Sequence, residues 1–230
     1  MAKRTTTMTI PNRSTPGILA VLALALLAST AVQAQTVHPD DLEQREGLFY
    51  KTGSDTPYSG KVEDPGQMIG QYEEGQRVGE WKGWHENGQQ AWVSDYEGGR
   101  ARYHAMWHPN GQQRFEGRYG EDGPDGLHVS WRENGQKISE RAYQNGKPHG
   151  KRQVWTPEGT LMLVAEYKDG HQHGPTTWFY ADGQKRWETH YEAGQRTGTW
   201  TQWTTKGEVF MQSEWDNGTL VKRVNPHANH

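Results

Sequence analysis

The sequence predicts an all-β protein: a single elongated antiparallel meander of tandem β-hairpin repeats with an N-terminal cap. Three observations carry this prediction. Aromatic residues recur every 23 or 24 residues, glycines recur with them, and polar and apolar residues alternate between the glycines. Only 32% of the 230 residues are hydrophobic, which is typical of disordered chains, but the chain also has 11 Trp, 10 Tyr and 28 Gly. We therefore expect aromatic ladders in place of an aliphatic core.

Residues 1–34 have the pattern of a secretory signal peptide. Three basic residues in the first 13 positions precede an apolar run at residues 18–28, and small residues lead up to Ala34. The run has 11 residues, whereas a membrane span needs about 20. We expect cleavage after Ala34 and a periplasmic or secreted protein, whose formal net charge would change from −3 to −6. An uncleaved anchor is the alternative, and stable membrane insertion is not expected after cleavage.

Residues 35–67 are expected to cap the repeats. The stretch 35–46 is rich in Asp and Glu and suits a short helix or an irregular segment. Residues 47–51 and 57–62 have the pattern of a divergent β-hairpin that leads into the first repeat.

The repeat array is expected at residues 68–221, and a polar tail at 222–230. Within the array, a first set of aromatic residues, the main aromatic column, is spaced by 23 or 24 residues, and a glycine follows each member four positions later. A second set, the tyrosine column, is followed in most repeats by a glycine three positions later. The main aromatic column consists of Trp84, Trp107, Trp131, Trp155, Phe179 and Trp203, and the tyrosine column of Tyr72, Tyr96, Tyr119, Tyr143, Tyr167, Tyr191 and Trp215.

Each repeat carries two turn signals that divide it into two strands. Pairs such as Asn110-Gly111 and Asn145-Gly146 favour the tight turns that join antiparallel strands. The segments between turns, about five to seven residues long, have the length of strands. The density of glycine excludes helices, so each repeat is predicted to be one β-hairpin and the array to have about fourteen strands.

Alternation within the returning strands predicts a sheet with two different faces. Residues two positions before the tyrosine column are mostly small, as at Ser94 and Gly117, and residues four positions before it are mostly large, as at Trp92 and Phe115. The intervening positions carry charges. One face is therefore predicted to be aromatic and the other charged, with the small residues leaving room for rings.

The sequence shows no constellation that would carry catalysis. Cysteine is absent, which excludes disulfides, thiolate metal sites and cysteine nucleophiles, and no phosphate-binding loop or serine-nucleophile motif is present. His171 and His173 lie in an expected turn without further ligands, so a solvated turn is favoured over a zinc site. His85 and His108 are interpreted as surface residues at strand ends. We expect no catalytic, cofactor-binding or metal-binding residues.

Five tryptophans exceed the number that the ladders require: Trp81, Trp92, Trp178, Trp187 and Trp200. Three of these, Trp81, Trp178 and Trp200, are the candidates for a binding surface. Trp81 and Trp200 precede members of the main aromatic column by three residues, and Trp178 directly precedes Phe179. Alternation places them on the opposite face from that column, where exposed rings would suit sugars, peptides or a membrane interface. They are the expected binding-surface residues; packing against the cap or a neighbouring hairpin is the alternative.

The repeats resemble the MORN-repeat variant, where MORN stands for membrane occupation and recognition nexus. The resemblance rests on the pattern G-x-W-x-x-W-H-x-N-G-Q and on a return such as that at residues 143–150. The stretch 41–50, followed by Pro57-Tyr58-Ser59-Gly60, is similar to the start of bacterial MORN-variant proteins that are classed as antitoxin components of toxin–antitoxin systems. The resemblance implies a β-hairpin architecture and the binding of a toxin partner, and it implies no enzymatic activity.

Several functions remain open at this point. The first hypothesis is a non-enzymatic exported scaffold that binds an unknown protein, with a toxin or an effector as candidates and an antitoxin-like or immunity-like role. The alternatives are a cell-wall or glycan-binding module that uses exposed tryptophans, and a peripheral membrane-associated protein. The net charge of −3 disfavours nucleic acid and anionic lipid as partners, and no cofactor is expected.

Overall fold

The computed structural model describes residues 36–224, and these residues form the antiparallel β-meander that the sequence predicts. Fifteen strands, β3 to β17, follow one another in a single sheet in which each strand pairs with its neighbours in sequence. Strands β1 and β2 form a separate hairpin. The strands are β1 (Leu42–Arg45), β2 (Leu48–Lys51), β3 (Gly60–Asp64), β4 (Met68–Glu73), β5 (Gln76–Trp84), β6 (Gln90–Glu97), β7 (Arg100–Trp107), β8 (Gln113–Gly120), β9 (Gly123–Trp131), β10 (Lys137–Gln144), β11 (Lys147–Trp155), β12 (Leu161–Lys168), β13 (His171–Phe179), β14 (Lys185–Glu192), β15 (Gln195–Trp203), β16 (Val209–Asp216) and β17 (Thr219–Val224).

The cap differs from the predicted hairpin. Strand β2 pairs with β1 rather than with residues 57–62, because Glu46 and Gly47 both have positive φ, 51° and 84°, and close a tight turn between them. Residues 57–62 contribute β3 to the main sheet instead, apart from one bridge between Tyr50 and Pro57. Of the segment 35–46, only Pro39–Asp41 is helical, as a single 3-10 turn.

The two kinds of turn predicted from the glycines are both present. In the turns after the tyrosine column, except the one after Tyr119, a residue and the glycine that follows it have positive φ, as in Asn145 (49°) and Gly146 (74°). The other turns begin one residue after the main aromatic column and are closed by paired backbone hydrogen bonds, such as those of His108 with Gln112 and of Gly111 with His108. We call the turns that follow the main aromatic column the first turns, and the turns that follow the tyrosine column the second turns.

A bulge interrupts the pairing beside each first turn. Between β5 and β6, Gly83 faces Trp92 while Trp84 faces Gln90, so Ala91 has no residue opposite it. The same shift recurs in the following hairpins, and the extra residues are Ala91, Arg114, Ile138, Met162, Arg186 and Phe210.

Two predicted segments, one at each end of the sequence, lie wholly or partly outside the described residues. The predicted signal peptide, residues 1–34, lies outside the described residues. The predicted polar tail begins inside β17, which continues to Val224, and residues 225–230 lie outside the described part. Among residues 36–224, no helix has the length and apolar character that a membrane crossing requires.

Candidate functional site

One face of the sheet, hereafter the aromatic face, is built from three rows of residues that the strand register brings side by side. Its front row consists of Met68, Gly83, Trp92, Met106, Phe115, Ser130, Ser139, Val154, Leu163, Trp178, Trp187, Gln202 and Met211. Its middle row consists of Gly70, Trp81, Ser94, His104, Gly117, His128, Arg141, Arg152, Ala165, Thr176, Thr189, Trp200, Ser213 and Arg223. The third row is the tyrosine column with its partners, which include Arg77 and Arg196.

The three candidate tryptophans therefore lie on the face of the tyrosine column, opposite the main aromatic column as predicted, but the prediction that they are exposed is wrong for Trp81. That side chain is only 2% exposed. Alternation does separate Trp81 from Trp84, but Trp81 pairs with Ser94, two residues from Tyr96, so the tyrosine column shares the face of Trp81. Trp178 and Trp200 lie on the same face and are half-buried.

A cluster of ring contacts joins the cap to the first strands of the array. The ring of Tyr72 lies 4.7 Å from that of Phe49 and 5.0 Å from that of Trp81, which in turn lies 6.0 Å from the ring of Tyr96. The Tyr72–Trp81 and Trp81–Tyr96 pairs meet edge to face, at 85° and 67°. Together with aliphatic residues of the cap, these rings form the most deeply buried cluster within residues 36–224.

The predicted ladder residues are less buried than those near the cap. Tyr72 is buried, but all members of the main aromatic column and the other members of the tyrosine column are half-buried. Ladder contacts continue in the middle of the array, where the His128 ring lies 5.1 Å from that of Tyr119 and 4.8 Å from that of Tyr143. At the far end, the Trp200 ring lies 5.9 Å from that of Tyr191 and 5.1 Å from that of Trp215. The array therefore leaves aromatic surface in partial contact with solvent along most of its length.

Two adjoining concavities mark the aromatic face between β4 and β10. The first has a volume of about 480 Å³ and is lined by Trp81, Trp92 and other residues of the front and middle rows. The second has a volume of about 450 Å³. They share His104, Met106 and Arg114, so they form one groove that crosses several strands. We call it the aromatic groove.

The aromatic groove is cationic. No Asp or Glu is found among the described residues that line either concavity, whereas Arg77, Arg114 and Arg132 line one or both. Arg114 is exposed and makes no ion pair with any residue of 36–224. The Nε atoms of Arg77 and Arg132 are buried and have no hydrogen-bond partner among the described residues. A buried donor without a partner is costly, which makes these atoms candidates for contact with a ligand.

The opposite face has the contrary charge. Its residues include seven carboxylates: Glu80, Asp95, Glu116, Glu140, Glu166, Glu188 and Glu214. It is not uniformly charged as predicted, because Val93, Ala105 and Val129 are buried between the charged positions. One of these carboxylates, Glu188, accepts a hydrogen bond from Lys185, which holds the pKa of Glu188 below its ordinary value.

The pKa values of one titratable group in the aromatic groove and of one on the same face nearer the cap are perturbed by their surroundings. Burial lowers the pKa of His104, whose Nδ1 lies 2.7 Å from the Ser94 Oγ, while a hydrogen bond with the Val93 backbone acts in the other direction. Burial raises the pKa of Tyr72, which Arg77 partly offsets. His104 is therefore neutral at pH 7, and the permanent charge of the groove comes from its arginines.

His85 and His108 are not the surface residues that the sequence suggested. Each is half-buried, and its Nε2 lies 2.9 Å from the carbonyl oxygen of the next member of the main aromatic column, Trp107 or Trp131. Tyr180 repeats this contact with Trp203 at 2.8 Å. The residue after the main aromatic column thus connects successive repeats.

His171 and His173 lie in β13 rather than in a solvated turn, and nothing brings further ligands to them. Within residues 36–224, no group of three or more His, Asp or Glu side chains has the arrangement of a metal site.

Sequence reasoning missed the cationic character of the aromatic face. The signal was present in Arg141, two residues before the tyrosine column, and in Arg152, three residues before the main aromatic column. That these two arginines share a face depends on the register between their strands.

A family model described as the MORN repeat variant matches residues 172–193, which cover most of the hairpin formed by β13 and β14. The match supports a MORN-repeat protein. A search of curated proteins found no match to the chain.

Proposed function

Starting from a chain that contains a MORN repeat variant, we propose that it is an exported, non-enzymatic scaffold that binds another protein with its aromatic face. The observation that carries the proposal is the aromatic groove, in which half-buried rings lie beside Arg77, Arg114 and Arg132 and no carboxylate of the described residues balances these arginines. Interface cores are enriched in aromatic residues and Arg, and poor in Asp and Glu. The predicted leader and the resemblance to antitoxin components make an exported toxin or effector the candidate partner.

Site-specific photo-crosslinking in the cells that make the protein tests this proposal. A benzophenone amino acid is placed at position 187, where Trp187 is 39% exposed on the aromatic face, or at position 151, where Lys151 is exposed on the opposite face. Adducts with one defined protein from position 187 and none from position 151 are the expected result. Equal labelling from both positions, or no adduct from either, would contradict the proposal.

Glycan binding is the second candidate, and one ring pair favours it. Trp178 and Trp187 lie 6.2 Å apart with ring planes 33° from parallel, and Trp187 is accessible to solvent. Such a pair offers apolar faces to a sugar ring. Peptidoglycan fragments should then change the tryptophan fluorescence of the wild-type chain and leave that of a Trp187→Ala variant unchanged; an unchanged wild-type spectrum would exclude this candidate.

A further inference from the structure

We propose that the aromatic face binds an acidic peptide segment, whose carboxylates are held by a row of arginines centred on Arg141 and Arg152. The inference rests on the proposed function and names the chemistry of the partner.

Arg141 and Arg152 face each other on neighbouring strands. They are register partners of β10 and β11, both are half-buried, and neither has a carboxylate partner within residues 36–224. The Nε of Arg141 is buried without a hydrogen-bond partner among the described residues. Like charges placed directly opposite each other destabilise a sheet. The Arg141 guanidinium lies over the rings of Tyr143 and Tyr167, 5.4 and 5.0 Å from their centroids, and a bound carboxylate would add the charge partner that the arginine pair lacks.

The same pattern continues across the aromatic face. Arg77, Arg196 and Arg223 occupy it as well, and its three rows contain no Asp or Glu in the described strands. Each of these arginines also lacks a carboxylate partner there, although carboxylates are frequent on the opposite face. Although the formal net charge of the chain is only −3, the sheet therefore has one cationic face and one acidic face. Guanidinium groups bind carboxylates through paired hydrogen bonds, which makes an acidic segment the complementary ligand.

The rings of this face favour a peptide over a nucleic acid. Proteins that bind single-stranded nucleic acids offer flat, accessible rings on which bases stack. Here Trp81 is 2% exposed and meets Tyr72 and Tyr96 edge to face, so its ring is not available as a platform. Among the described rings of the three rows only Trp187 is exposed, so the face has no series of accessible rings for successive bases. Carboxylate side chains need only the guanidinium groups, while apolar side chains of a peptide fit between the half-buried rings.

The spacing of the strands sets the length of the segment. Arg77 on β5 and Arg152 on β11 are separated by six strand spacings of about 4.8 Å, or roughly 29 Å. An extended peptide rises about 3.3 Å per residue, so roughly nine residues reach from one to the other. A twelve-residue peptide is therefore a sufficient probe.

The test measures fluorescence anisotropy of a labelled twelve-residue peptide in which Glu alternates with Ser, added to the purified chain. Matched peptides carry Gln or Lys in place of Glu, and an oligothymidylate of equal charge is the fourth probe. We expect saturable binding of the Glu peptide that weakens with added salt, at least tenfold weaker binding of the Gln peptide, and none of the Lys peptide. Oligothymidylate binding as tight as that of the Glu peptide would overturn the assignment to a peptide.

Two double variants locate the site. Arg141→Gln with Arg152→Gln should weaken the Glu peptide at least tenfold, and it should leave the thermal midpoint unchanged or higher, because it removes a like-charge pair. Arg118→Gln with Lys151→Gln makes the same change in net charge on the opposite face and should leave binding within twofold of wild type. Equal losses in both double variants would overturn the proposal.

The same variants separate this inference from the proposed function. If position 187 still crosslinks one defined protein when Arg141 and Arg152 are both replaced by Gln, the scaffold function stands and the acidic-segment inference fails. If the Arg variant loses both the peptide and the crosslinked protein, the inference is supported.

Discussion

Glycines at two positions make room for indole rings of the next strand. A Cβ added at Gly70 would lie 2.2 Å from the ring of Trp81, and one added at Gly83 would lie 2.1 Å from the ring of Trp92. Atoms do not approach so closely, so the rings lie directly over the backbone of a neighbouring strand. The small positions of the repeat thus determine where the large side chains lie.

This close approach predicts a cost for any side chain at position 70. Gly70→Ala should lower the free energy of unfolding by about 1–3 kcal/mol, because Trp81 is buried and cannot move aside. Gly120→Ala is the control, since the nearest atom to its added Cβ is 3.6 Å away and its φ is not positive. Urea unfolding measures both variants; equal losses of stability would contradict the packing argument.

His104 predicts a dependence of stability on pH. Burial lowers its pKa in the folded protein below the ordinary histidine value of about 6.5, so the unfolded chain binds the proton more readily. Stability should therefore fall as the pH drops below about 6.5, until the folded-state pKa is passed. Thermal midpoints of wild type and His104→Gln between pH 7.5 and pH 5 check this: the difference between the two proteins should change over that range, and a constant difference would refute the role of His104.

At the scale of the element, the first turns are joined to one another by side chains. Asn110 accepts a hydrogen bond from the backbone N–H of Gln112 in its own turn at 3.0 Å, and its Nδ2 donates to the carbonyl of Glu133 in the next turn at 2.7 Å. Asn87 makes the same two bonds. The second turns are joined by backbone instead, as when Gly170 N–H donates to the Pro148 carbonyl. Each edge of the array therefore has its own link between repeats.

The link at the first turns can be removed without disturbing the turn itself. Asn110→Asp keeps the oxygen that accepts from Gln112 but loses the donor to Glu133, and it should lower the free energy of unfolding by about 1 kcal/mol or more. Asn134→Asp is the control, because the Asn134 amide donates to Gln136 of its own turn. Thermal unfolding compares the two; a control as unstable as the Asn110 variant would show that the effect arises within the turn.

Features that depend on residues close along the chain could be predicted from the sequence, and features that depend on the register between strands could not. The period, the turns and the alternation within a strand could all be derived from the sequence, since each depends on residues that are close along the chain. Alternation also predicted that Trp81 and Trp84 lie on opposite faces. The burial of Trp81 against Tyr72 could not be predicted, because it depends on the register between strands. The contacts of His85 and His108 were missed for the same reason, as their partners lie in the next repeat.

At the scale of the array, charge is separated between the two faces by the same alternation that separates aromatic from polar residues. The residue before Arg141 is Glu140, and the two lie on opposite faces. A one-residue shift of β10 would place Glu140 on the aromatic face and Tyr143 on the acidic one. The charge pattern therefore strengthens the selection of register, in addition to the interaction that we propose for the arginines.

The repeat construction predicts that one whole hairpin can be removed. Deletion of residues 145–168 joins Gln144 to Asp169, so the turn at Asp169-Gly170 replaces its equivalent at Asn145-Gly146 and β13 takes the place of β11. Since each repeat contacts mainly its neighbours, the shortened chain should fold, with a urea m-value lower by about one eighth because less surface is buried.

The control deletion removes residues 145–155, one strand and one turn, so that every later strand reverses its direction relative to the earlier ones. First turns would then lie at the edge of the second turns, and the side-chain links of one set would meet the backbone links of the other. We expect this chain to lose cooperative unfolding in circular dichroism. If the two shortened chains showed the same unfolding transition, the repeat would not be the unit that contributes stability. The aromatic face would then behave as one cooperative core.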